Sequence, residues 1–490
     1  MNIRPTLEEL KAYDTSKYTV APVSTEIFSD FITPIEALRI LKNVSTHTYM
    51  LESAQESDTW GRYTFLGFEP KLEISCINGE MKAGDITFKT ENPTEYLRQV
   101  LTQYRSPKVS YLPPFTGGLV GYFSYDYLKY SEPILKKDLV DENEFKDVDL
   151  MLFDKVIAFD NVRQKIVLIA NAKLADIETE YNRAVNELER IADLLKNGKK
   201  AKEKPGRILG EFEPVFNEEQ YCDMVEKGKH YIFEGDIFQI VLSNRLSAPF
   251  EGSLLNTYRA LRTINPSPYM FYFSGTDVEV AGASPETLVK LENGVLHTFP
   301  LAGSRPRGKN PEEDEELIKD LLSDEKELAE HNMLVDLGRN DLGRVSKFGT
   351  VEVERYMDVL KFSHIMHIGS TVRGEIREDK DALDAIEAVL PAGTLSGAPK
   401  IRACQLIDEL ENCKRGIYGG AIGYIDFTGN MDTCIAIRIA YKKNGRVFVR
   451  SGAGIVADSV PKKEHTECIN KAKAVINAIK DSADLDGAEN

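Results

Sequence analysis

Apolar and polar positions along the second half of the chain alternate in ways that predict both helices and strands. The spacing over 217–234 is that of an amphipathic helix that ends at Gly235, and "DIFQIVLSNRLS" after it alternates as a strand does. The segment 432–456 predicts a hairpin that turns at 443–445. Because strands lie beside hairpin turns more often than between crossover helices, we expect an α+β fold with antiparallel sheets, packed as a β-sandwich core flanked by helices. Further helices are predicted over 324–340, 396–411 and 459–480, the last with Pro461 in its first turn.

The first half of the chain is richer in strand patterns and ends in a Lys-rich stretch. Strand patterns occupy 117–128 and 148–170, a helical pattern covers 175–196, and "DLLKNGKKAKEKPGR" follows as a linker. The pattern therefore predicts a strand-rich domain over 1–200 with a linker at about 193–207, a second domain over 208–480, and an acidic tail over 481–490 that frays.

Two glycine motifs resemble each other across the predicted linker. "GGLVGY" at 117–122 has an echo in "GGAIGY" at 419–424. Glycine-strand chemistry arising by chance and a faint internal duplication both explain the echo, and no short-period repeat decides between them.

Composition excludes several classes of protein. The 490 residues are 42% hydrophobic and 28% charged, which is ordinary for a globular protein. No run approaches the roughly 18 apolar residues of a membrane helix, and "MNIRPTLEELKAY" lacks the apolar region of a signal peptide. The six cysteines form no C-x-x-C pair, so we expect neither zinc nor disulfides and place the chain in a reducing cytoplasm. The net charge of −17 argues against nucleic acid, and a small anion would need local positive groups or a metal.

Two carboxylates on predicted helices are candidate metal ligands. Glu330 and Glu467 lie 137 positions apart, and Glu467 follows a predicted glycine loop at 452–454. Mg²⁺ prefers carboxylates and water and would bridge to an anionic substrate. Taken singly, each Glu is better explained as a solvated helix residue, and Gly452 and Gly454 as parts of a tight turn.

Three further side chains are candidates for binding or proton transfer. Arg438 lies in "IAIRIAY", whose alternation puts it on a strand face between two alanines, either reaching a ligand carboxylate or facing solvent. Glu286, beside Pro285, is a candidate general acid or a turn cap. His367 lies in a strand-like run, and its type alone favours a structural role over a catalytic one.

The ordered motifs of the second half resemble the chorismate-utilising enzyme family. The resemblance covers about 215–475, and "LESAQ" at 51–55 resembles the family's N-terminal regulatory segment, with Met50 in place of a more usual Leu. The motifs, in family order and spacing, are "NPSPYMFYF", "GASPET", "PLAGSRPRG", "ELAEHNMLVDLGRNDLGRV", "MHIGSTVRG", "GTLSGAPK", "YGGAIGY", "DTCIAIR" and "GAGIVADSVPKKEHTE".

The resemblance implies a regulatory first domain, a chorismate-binding second domain and a set of site residues. It implies that Glu330 and Glu467 hold Mg²⁺ on the ring carboxylate of chorismate. The groups that it implies to bind chorismate are Gly303, Ser304, Tyr418, Arg438, Gly452, Ala453 and Gly454. Arg305 and Arg307, in the stretch "FPLAGSRPRGK", are expected to brace the loop through local carboxylates.

The resemblance also implies a lyase reaction that makes anthranilate, the first committed step of L-tryptophan biosynthesis. Ammonia adds at C2 of chorismate, Glu286 protonates the departing C4 hydroxyl, and pyruvate is then eliminated with His367 as base or orienting group. Gln239 stands where members of the family that add water carry a Lys base, and ammonia needs no such base.

Two partners and two rival functions follow from the resemblance. No cysteine has the G-x-C-x-G setting of a glutaminase, so a separate glutamine amidotransferase subunit would supply ammonia. Ser53, Pro268, Tyr269 and Met270 match a feedback site for L-tryptophan, although "PSPYM" also reads as a Pro-bounded turn. The nearest rival makes aminodeoxychorismate without eliminating pyruvate and carries Lys at the position of Ala302. A non-catalytic chorismate- or tryptophan-binding subunit is the other rival, and the full set of Glu286, Glu330, His367 and Glu467 counts against it.

Overall fold

The computed structural model describes residues 1–53, 61–135, 139–361, 365–483 and 485. In this part of the chain it contains twelve α-helices and two large antiparallel sheets, so the predicted α+β class is confirmed. None of the described helices is long and apolar enough to cross a membrane. The helices are α1 (Leu7–Lys11), α2 (Pro34–Val44), α3 (Pro93–Thr102), α4 (Leu128–Ser131), α5 (Ile177–Asn197), α6 (Glu218–Phe233), α7 (Leu255–Ile264), α8 (Pro311–Ser323), α9 (Glu325–Gly343), α10 (Ala382–Val389), α11 (Lys400–Glu411) and α12 (Pro461–Asp481).

The strands are short and mostly joined by tight turns. Their bounds are β1 (Val20–Phe28), β2 (Thr48–Glu52), β3 (Tyr63–Phe68), β4 (Leu72–Ile77), β5 (Glu80–Ala83), β6 (Ile86–Lys89), β7 (Gly118–Phe123), β8 (Val148–Phe153), β9 (Lys155–Asp160), β10 (Lys165–Lys173), β11 (Arg207–Ile208), β12 (Glu213–Pro214), β13 (Gln239–Glu251), β14 (Tyr269–Ser274), β15 (Glu279–Ser284), β16 (Thr287–Glu292), β17 (Val295–Thr298), β18 (Leu301–Pro306), β19 (Glu352–Lys361), β20 (Ile365–Glu375), β21 (Gly397–Ala398), β22 (Ala421–Asp426), β23 (Met431–Ile435), β24 (Ile439–Lys443) and β25 (Arg446–Ile455).

The two sheets pack face to face, with helices on both outer faces. In the described chain the first sheet runs β1-β10-β9-β3-β2-β14-β15-β24-β25-β13-β11, and the second runs β18-β20-β17-β16-β23-β22-β7-β8-β4-β5-β6. Phe273 and Tyr441 of the first sheet share one buried cluster with Tyr122 and Phe153 of the second. Helices α2, α5, α7 and α12 cover the other face of the first sheet, and α3, α9 and α10 cover that of the second. The predicted β-sandwich flanked by helices is therefore confirmed.

The strand order repeats within each sheet, which favours duplication as the origin of the glycine echo. The order β1-β10-β9-β3-β2 recurs as β13-β25-β24-β15-β14, and β7-β8-β4-β5-β6 recurs as β22-β23-β16-β17-β20. The two copies meet where β2 pairs with β14 and β7 pairs with β22, and Gly121 lies opposite Gly423 in the second of these pairings. A Cβ at Gly423 would lie 2.0 Å from the carbonyl oxygen of Asp432 on the neighbouring strand β23, so this position requires glycine.

One insertion distinguishes the second copy from the first. Gly84 and Asp85 alone separate β5 from β6, whereas β18, α8, α9 and β19 lie between β17 and β20. This insertion carries Ala302, Gly303, Ser304 and Glu330, so much of the predicted site belongs to the second copy only.

The predicted linker begins too early. α5 continues to Asn197, because Leu188, Ile191 and Leu195 bury one face of the helix and extend its amphipathic pattern past residue 193. Both sheets and their cores contain strands from before and after residue 200, and the functional division proposed there stays a prediction. Most of the predicted acidic tail lies outside the described residues, and α12 ends at Asp481.

Candidate functional site

A cavity of about 650 Å³ beside α12 carries a local excess of positive charge. Its lining is Arg438, Lys462, Lys463, Thr466, Glu467, Asn470 and Lys471. α12 begins at Pro461 as predicted, so Glu467 and Lys471 lie one turn apart and form an ion pair of 2.7 Å. Four basic side chains therefore face one carboxylate here, which suits an anionic ligand in a chain of net charge −17.

Glu286 lies in the turn between β15 and β16. Thr394 Oγ donates a hydrogen bond of 3.1 Å to its carboxylate. Burial raises the pKa of Glu286, whereas Thr394, Arg438 and Lys471 act to lower it. A carboxyl with a raised pKa is suited to donate a proton near neutral pH. Thr394 was missed by the sequence analysis, although it lies inside the quoted motif "GTLSGAPK".

Arg438 is not on a strand face, and the predicted alternation was wrong at this point. β23 ends at Ile435 in the second sheet and β24 begins at Ile439 in the first, so 436–438 form the crossover between sheets. Arg438 has a φ of +54°, which is uncommon outside glycine, and its carbonyl accepts a hydrogen bond of 3.2 Å from the amide of Ala283. The apolar–polar alternation of the sequence continues through 436–438, although the chain passes from one sheet to the other there. The crossover nevertheless leaves the Arg438 side chain lining the cavity.

The predicted glycine loop at 452–454 is the end of strand β25. Gly452 lies opposite Ser243 of β13 in a regular antiparallel pairing. A Cβ at Gly452 would lie 2.7 Å from the carbonyl oxygen of Leu242 and 3.1 Å from the hydroxyl of Tyr418. The glycine is required by this close approach and not by a turn. Tyr418 and Gly452 are thus brought together, as the resemblance implied.

Gln239 lies beside the end of β25 and acts on Glu330. A Cβ at Gly454 would lie 2.7 Å from its Nε2, and its amide works to lower the pKa of Glu330. Its Oε1 is buried and accepts no hydrogen bond from the described residues. Gln239 therefore offers an acceptor but no basic group beside the predicted metal ligand.

One lysine acts on both predicted metal ligands. Lys471 pairs with Glu467 and acts electrostatically on Glu286, Glu330 and Glu464. Burial and the nearby Glu327 raise the pKa of Glu330.

This carboxylate set fits a hard divalent cation. The described residues contain no group of three or more His, Cys, Asp or Glu side chains arranged to hold a metal. Mg²⁺ keeps several waters and is commonly bound through one or two carboxylates together with its substrate. Glu330 and Glu467, both within the electrostatic reach of Lys471, are carboxylates of that kind.

His367 and the start of "FPLAGSRPRGK" lie on paired strands. β18 pairs with β20, and Gly303, with a φ of +65°, forms a bulge in that pairing between Ala302 and Ser304. His367 Nδ1 donates a hydrogen bond of 2.9 Å to the carbonyl of Gly303. Because a carbonyl only accepts, Nε2 is the acceptor in the neutral ring. Burial lowers the pKa of His367, while the bond to Gly303 works in the opposite direction.

The two arginines of this stretch brace α8 and the start of α9, as expected. Arg305 contacts Asp320 at 2.5 Å and Asp324 at 3.0 Å, and Arg307 contacts Asp314 at 2.7 Å. The residues 301–306 form a strand, whereas the sequence analysis treated them as an open loop.

A buried ionic network behind the site was also missed. Glu411, Arg415 and Arg450 have side chains with at most 1% exposure. Arg450 and Arg415 each contact the Glu411 carboxylate at 2.6 Å, and Arg415 also donates to the carbonyls of Leu395 and Val241 at 2.6 and 2.7 Å. Leu395 follows Thr394, and Val241 lies opposite Gly454, so the network fixes both the Glu286 partner and the end of β25.

A second cavity, of about 530 Å³, brings together all four predicted effector residues. Ser53, Pro268, Tyr269 and Met270 line it, together with strands of both copies. Asp432, Cys434 and Tyr424 also line this cavity and were missed; it is called the effector cavity below, after the prediction of an effector site. Residues 54 and 55 of "LESAQ" lie outside the described residues.

Known proteins resemble the chain over nearly its whole length. The family model described as chorismate binding enzyme matches residues 46–477. The chain is 44% identical to anthranilate synthase component 1 of Acetivibrio thermocellus, over 98% of this chain and 99% of that protein. It is 46% identical to the protein of the same name from Aquifex aeolicus strain VF5, over 98% of each chain.

Solved structures agree with this. The crystal structure of anthranilate synthase component I from Streptococcus pneumoniae TIGR4 matches with a TM-score of 0.77 and 38% identity, over 92% of this chain and 98% of that one. The menaquinone-specific isochorismate synthase MenF of Escherichia coli shares the fold, with a TM-score of 0.69 at 18% identity, over 96% and 98%. On the strength of the family match and these full-length similarities, the chain belongs to the chorismate binding enzymes.

Proposed function

We propose that this chain is the chorismate-converting component of an anthranilate synthase, using ammonia and releasing pyruvate. The observation that carries the proposal is the environment of Glu286. Burial raises the pKa of this carboxyl, Thr394 hydrogen-bonds it, and Arg438 and Lys471 act on it electrostatically. A proton donor thus lies within the field of the cavity suited to an anion. The names of the full-length relatives support the same activity.

The cationic cavity would bind the carboxylates of chorismate. Arg438 presents a planar fork that can hold a carboxylate bidentately, and Lys471 adds a point charge. Tyr418 and the backbone of 452–454 would add to this cavity, because Lys471 donates to the carbonyl of Gly452 at 3.2 Å and the Tyr418 hydroxyl lies close to Gly452. Gly303 and Ser304 would contribute through the bulge beside His367.

The first step would replace the C4 hydroxyl of chorismate by an amino group at C2. Ammonia forms the C2–N bond, the ring double bond shifts, and the C4–O bond breaks. Glu286 gives its proton to the departing hydroxyl, which leaves as water, and the ammonium formed at C2 loses a proton. Gln239 has no basic group, which suits a nucleophile that arrives with its own lone pair.

The second step would break the bond between the ring and the enolpyruvyl oxygen. Loss of the C2 proton makes the ring aromatic, and the enolpyruvyl group leaves and is protonated to pyruvate. His367 is held neutral with Nε2 as acceptor, which supports a role as the base or as the group that orients the base.

We propose Mg²⁺ as the cofactor of this site. Glu330 and Glu467 would hold it, and Gln239 acts to lower the pKa of Glu330. When bound, the metal neutralises the ring carboxylate and supplies Lewis acidity. The residues of this chain supply the proton transfers and the orientation.

A separate amidotransferase would supply ammonia from glutamine. Cys76, Cys404, Cys434 and Cys468 are buried, and burial raises the pKa of Cys222, so none of these five has the accessible low-pKa thiolate of a glutaminase. The sequence around Cys413, "ENCKRG", also lacks the nucleophile motif.

Feedback inhibition by L-tryptophan is proposed for the effector cavity. Its volume of about 530 Å³ is within the range of small-molecule sites, and its walls combine apolar and aromatic side chains with a few polar groups.

The test is to mix the purified chain with chorismate, Mg²⁺ and an ammonium salt and to identify the products by mass spectrometry. We expect anthranilate and pyruvate, with glutamine ineffective until an amidotransferase subunit is added. Glu286→Gln should abolish turnover, whereas Glu219→Gln, an exposed carboxylate on α6, should not. Aminodeoxychorismate as the product would establish the nearest rival, and chorismate binding without turnover would establish a regulatory subunit.

A further inference from the structure

Three side chains link the effector cavity to the turn that carries Glu286. Tyr269 and Asp432 line the cavity, whereas Thr287 lies outside its lining and directly follows Glu286 in the chain. The hydroxyl of Tyr269 donates to Asp432 Oδ1 at 2.8 Å and lies 2.9 Å from Thr287 Oγ. Because the single Tyr269 proton goes to the carboxylate, Thr287 is the donor in the second bond.

The turn itself is held by the strands that line the cavity. Tyr269 lies opposite Ser284 in the pairing of β14 with β15. Ser284 Oγ donates to the carbonyl of Ile435 at 2.6 Å, and the amide of Ile435 donates to the carbonyl of Glu286 at 3.0 Å. Ile435 ends the same strand, β23, that carries Asp432. Both ends of the Pro285–Glu286 turn are therefore tied to residues beside the effector.

We propose that Thr287, Tyr269 and Asp432 are positioning residues for Glu286, and that an amino acid in the effector cavity acts on catalysis by breaking the Thr287–Tyr269 hydrogen bond. This proposal rests on the proposed function, because it specifies how the proposed feedback reaches the general acid.

The ammonium group of an amino acid is the natural competitor for this arrangement. Asp432 is a partly buried carboxylate. Burial raises its pKa, while Lys290 and the Tyr269 bond oppose that rise. An ammonium group near Asp432 would stabilise the charged carboxylate and displace the Tyr269 hydroxyl from it. The movement of the ring that separates this hydroxyl from Asp432 would also carry its oxygen away from the Thr287 donor. The element with two states is therefore the position of the Tyr269 ring.

The consequence reaches Glu286 through a single peptide unit. Thr287 begins β16, and the register of β16 with β23 shifts directly after it, so its backbone is less constrained there than in a regular ladder. Loss of the Tyr269 bond releases the start of this strand and with it the carboxylate that Thr394 holds. A general acid displaced by a fraction of an ångström loses alignment with its proton acceptor.

Thr287→Val tests the proposal, with Thr287→Ser as the matched control and Thr287→Ala as a second variant. Valine keeps the shape of threonine and removes the hydroxyl, whereas serine keeps the hydroxyl. Calorimetry measures the Kd of L-tryptophan, and initial rates of anthranilate formation give kcat, KM and the extent of inhibition by saturating tryptophan. We expect Thr287→Val to lower kcat with little change in KM. We also expect it to bind tryptophan as the parent does, while saturating tryptophan lowers its rate about tenfold less than it lowers the rate of the parent. Thr287→Ser should restore both values.

The outcomes separate this proposal from the proposed function. If the parent binds tryptophan and is inhibited, but saturating tryptophan inhibits Thr287→Val and Thr287→Ala as fully as the parent, the link through Thr287 is wrong while feedback stands. If the parent neither binds tryptophan nor is inhibited by it, the proposed feedback fails and this proposal fails with it. A parent that makes no anthranilate overturns the proposed reaction itself.

Discussion

Replacing Glu411 by Gln should destabilise the protein more than any change at an exposed ion pair. The substitution keeps the size of the side chain and removes its charge. The carboxylate accepts from the amide and hydroxyl of Ser243 and from both arginines, Arg415 and Arg450. In a Gln side chain, the NH₂ group would face some of these hydrogen-bond donors and could not accept from them. Two buried guanidinium groups would remain without their counter-charge.

The magnitude follows from the burial of all three partners. Both arginines contact Glu411 at 2.6 Å with side chains that are at most 1% exposed. Removing one partner of such a buried pair costs about 3–5 kcal/mol, because the remaining charge stays desolvated. A loss of about 3 kcal/mol, the lower end of this range, moves the urea midpoint of unfolding by about 1 M if the m-value is about 3 kcal/mol/M. A larger m-value gives a smaller shift.

The pH dependence has a definite sign. The two arginines hold the pKa of Glu411 below its usual range, against the effect of burial. A depressed pKa contributes stability that is present above the unfolded-state pKa of Glu and is lost as the pH falls through the folded-state pKa. The difference between the parent and Glu411→Gln should therefore be full at neutral pH and shrink in acid.

Urea unfolding followed by circular dichroism measures the effect, with Glu178→Gln as control. Glu178 forms an exposed pair with Lys11 at 2.7 Å, so its replacement should leave the midpoint unchanged. Glu411→Gln should also raise the KM for chorismate, because the network fixes Val241 opposite Gly454. Equal midpoints for the two variants would refute the reasoning.

Three further predictions concern the site and the effector cavity. Glu330→Gln or Glu467→Gln should remove activity at ordinary Mg²⁺ without unfolding the chain, as circular dichroism and a Mg²⁺ titration would show; wild-type Mg²⁺ dependence in both variants would contradict the assignment. Ser53→Phe should give resistance to tryptophan with little change in the uninhibited rate, because the larger ring fills part of the effector cavity; inhibition as strong as in the parent would show that the pocket is wrong. Ala302→Lys should lower anthranilate formation by blocking the path of ammonia or by forming a covalent adduct, which mass spectrometry distinguishes; unchanged output would mean that Ala302 does not face the reacting carbon.

Local signals in the sequence predicted the elements that are defined locally. Pro461 does begin α12, and Gly235, with a φ of +83°, does follow α6. The hairpin at 443–445 also forms, because a short turn is specified by its own residues. Near neighbours decide each of these features.

The failures concern features that depend on residues far apart in the chain. The crossover at 436–438 depends on two separate sheets, and no local pattern marks where the chain changes from one to the other. Glu411 and Arg415 look like an ordinary solvent-exposed pair on a helix end until Arg450, 35 positions later, is placed beside them. The site residues themselves were found through the family resemblance, because their types alone supported structural roles as well as catalytic ones or better.

The repeated strand order has a consequence for the origin of the proposed feedback regulation. The effector cavity takes Leu51 and Phe65 from the first copy and Met270 and Tyr424 from the second, so neither copy alone encloses it. A single ancestral copy would have had two unpaired sheet edges where this cavity lies. In a chain that carries both copies these edges pair with each other, and the compartment between the sheets takes its walls from both. Under the proposed feedback function, the copy without the insertion would supply one wall of the sensor.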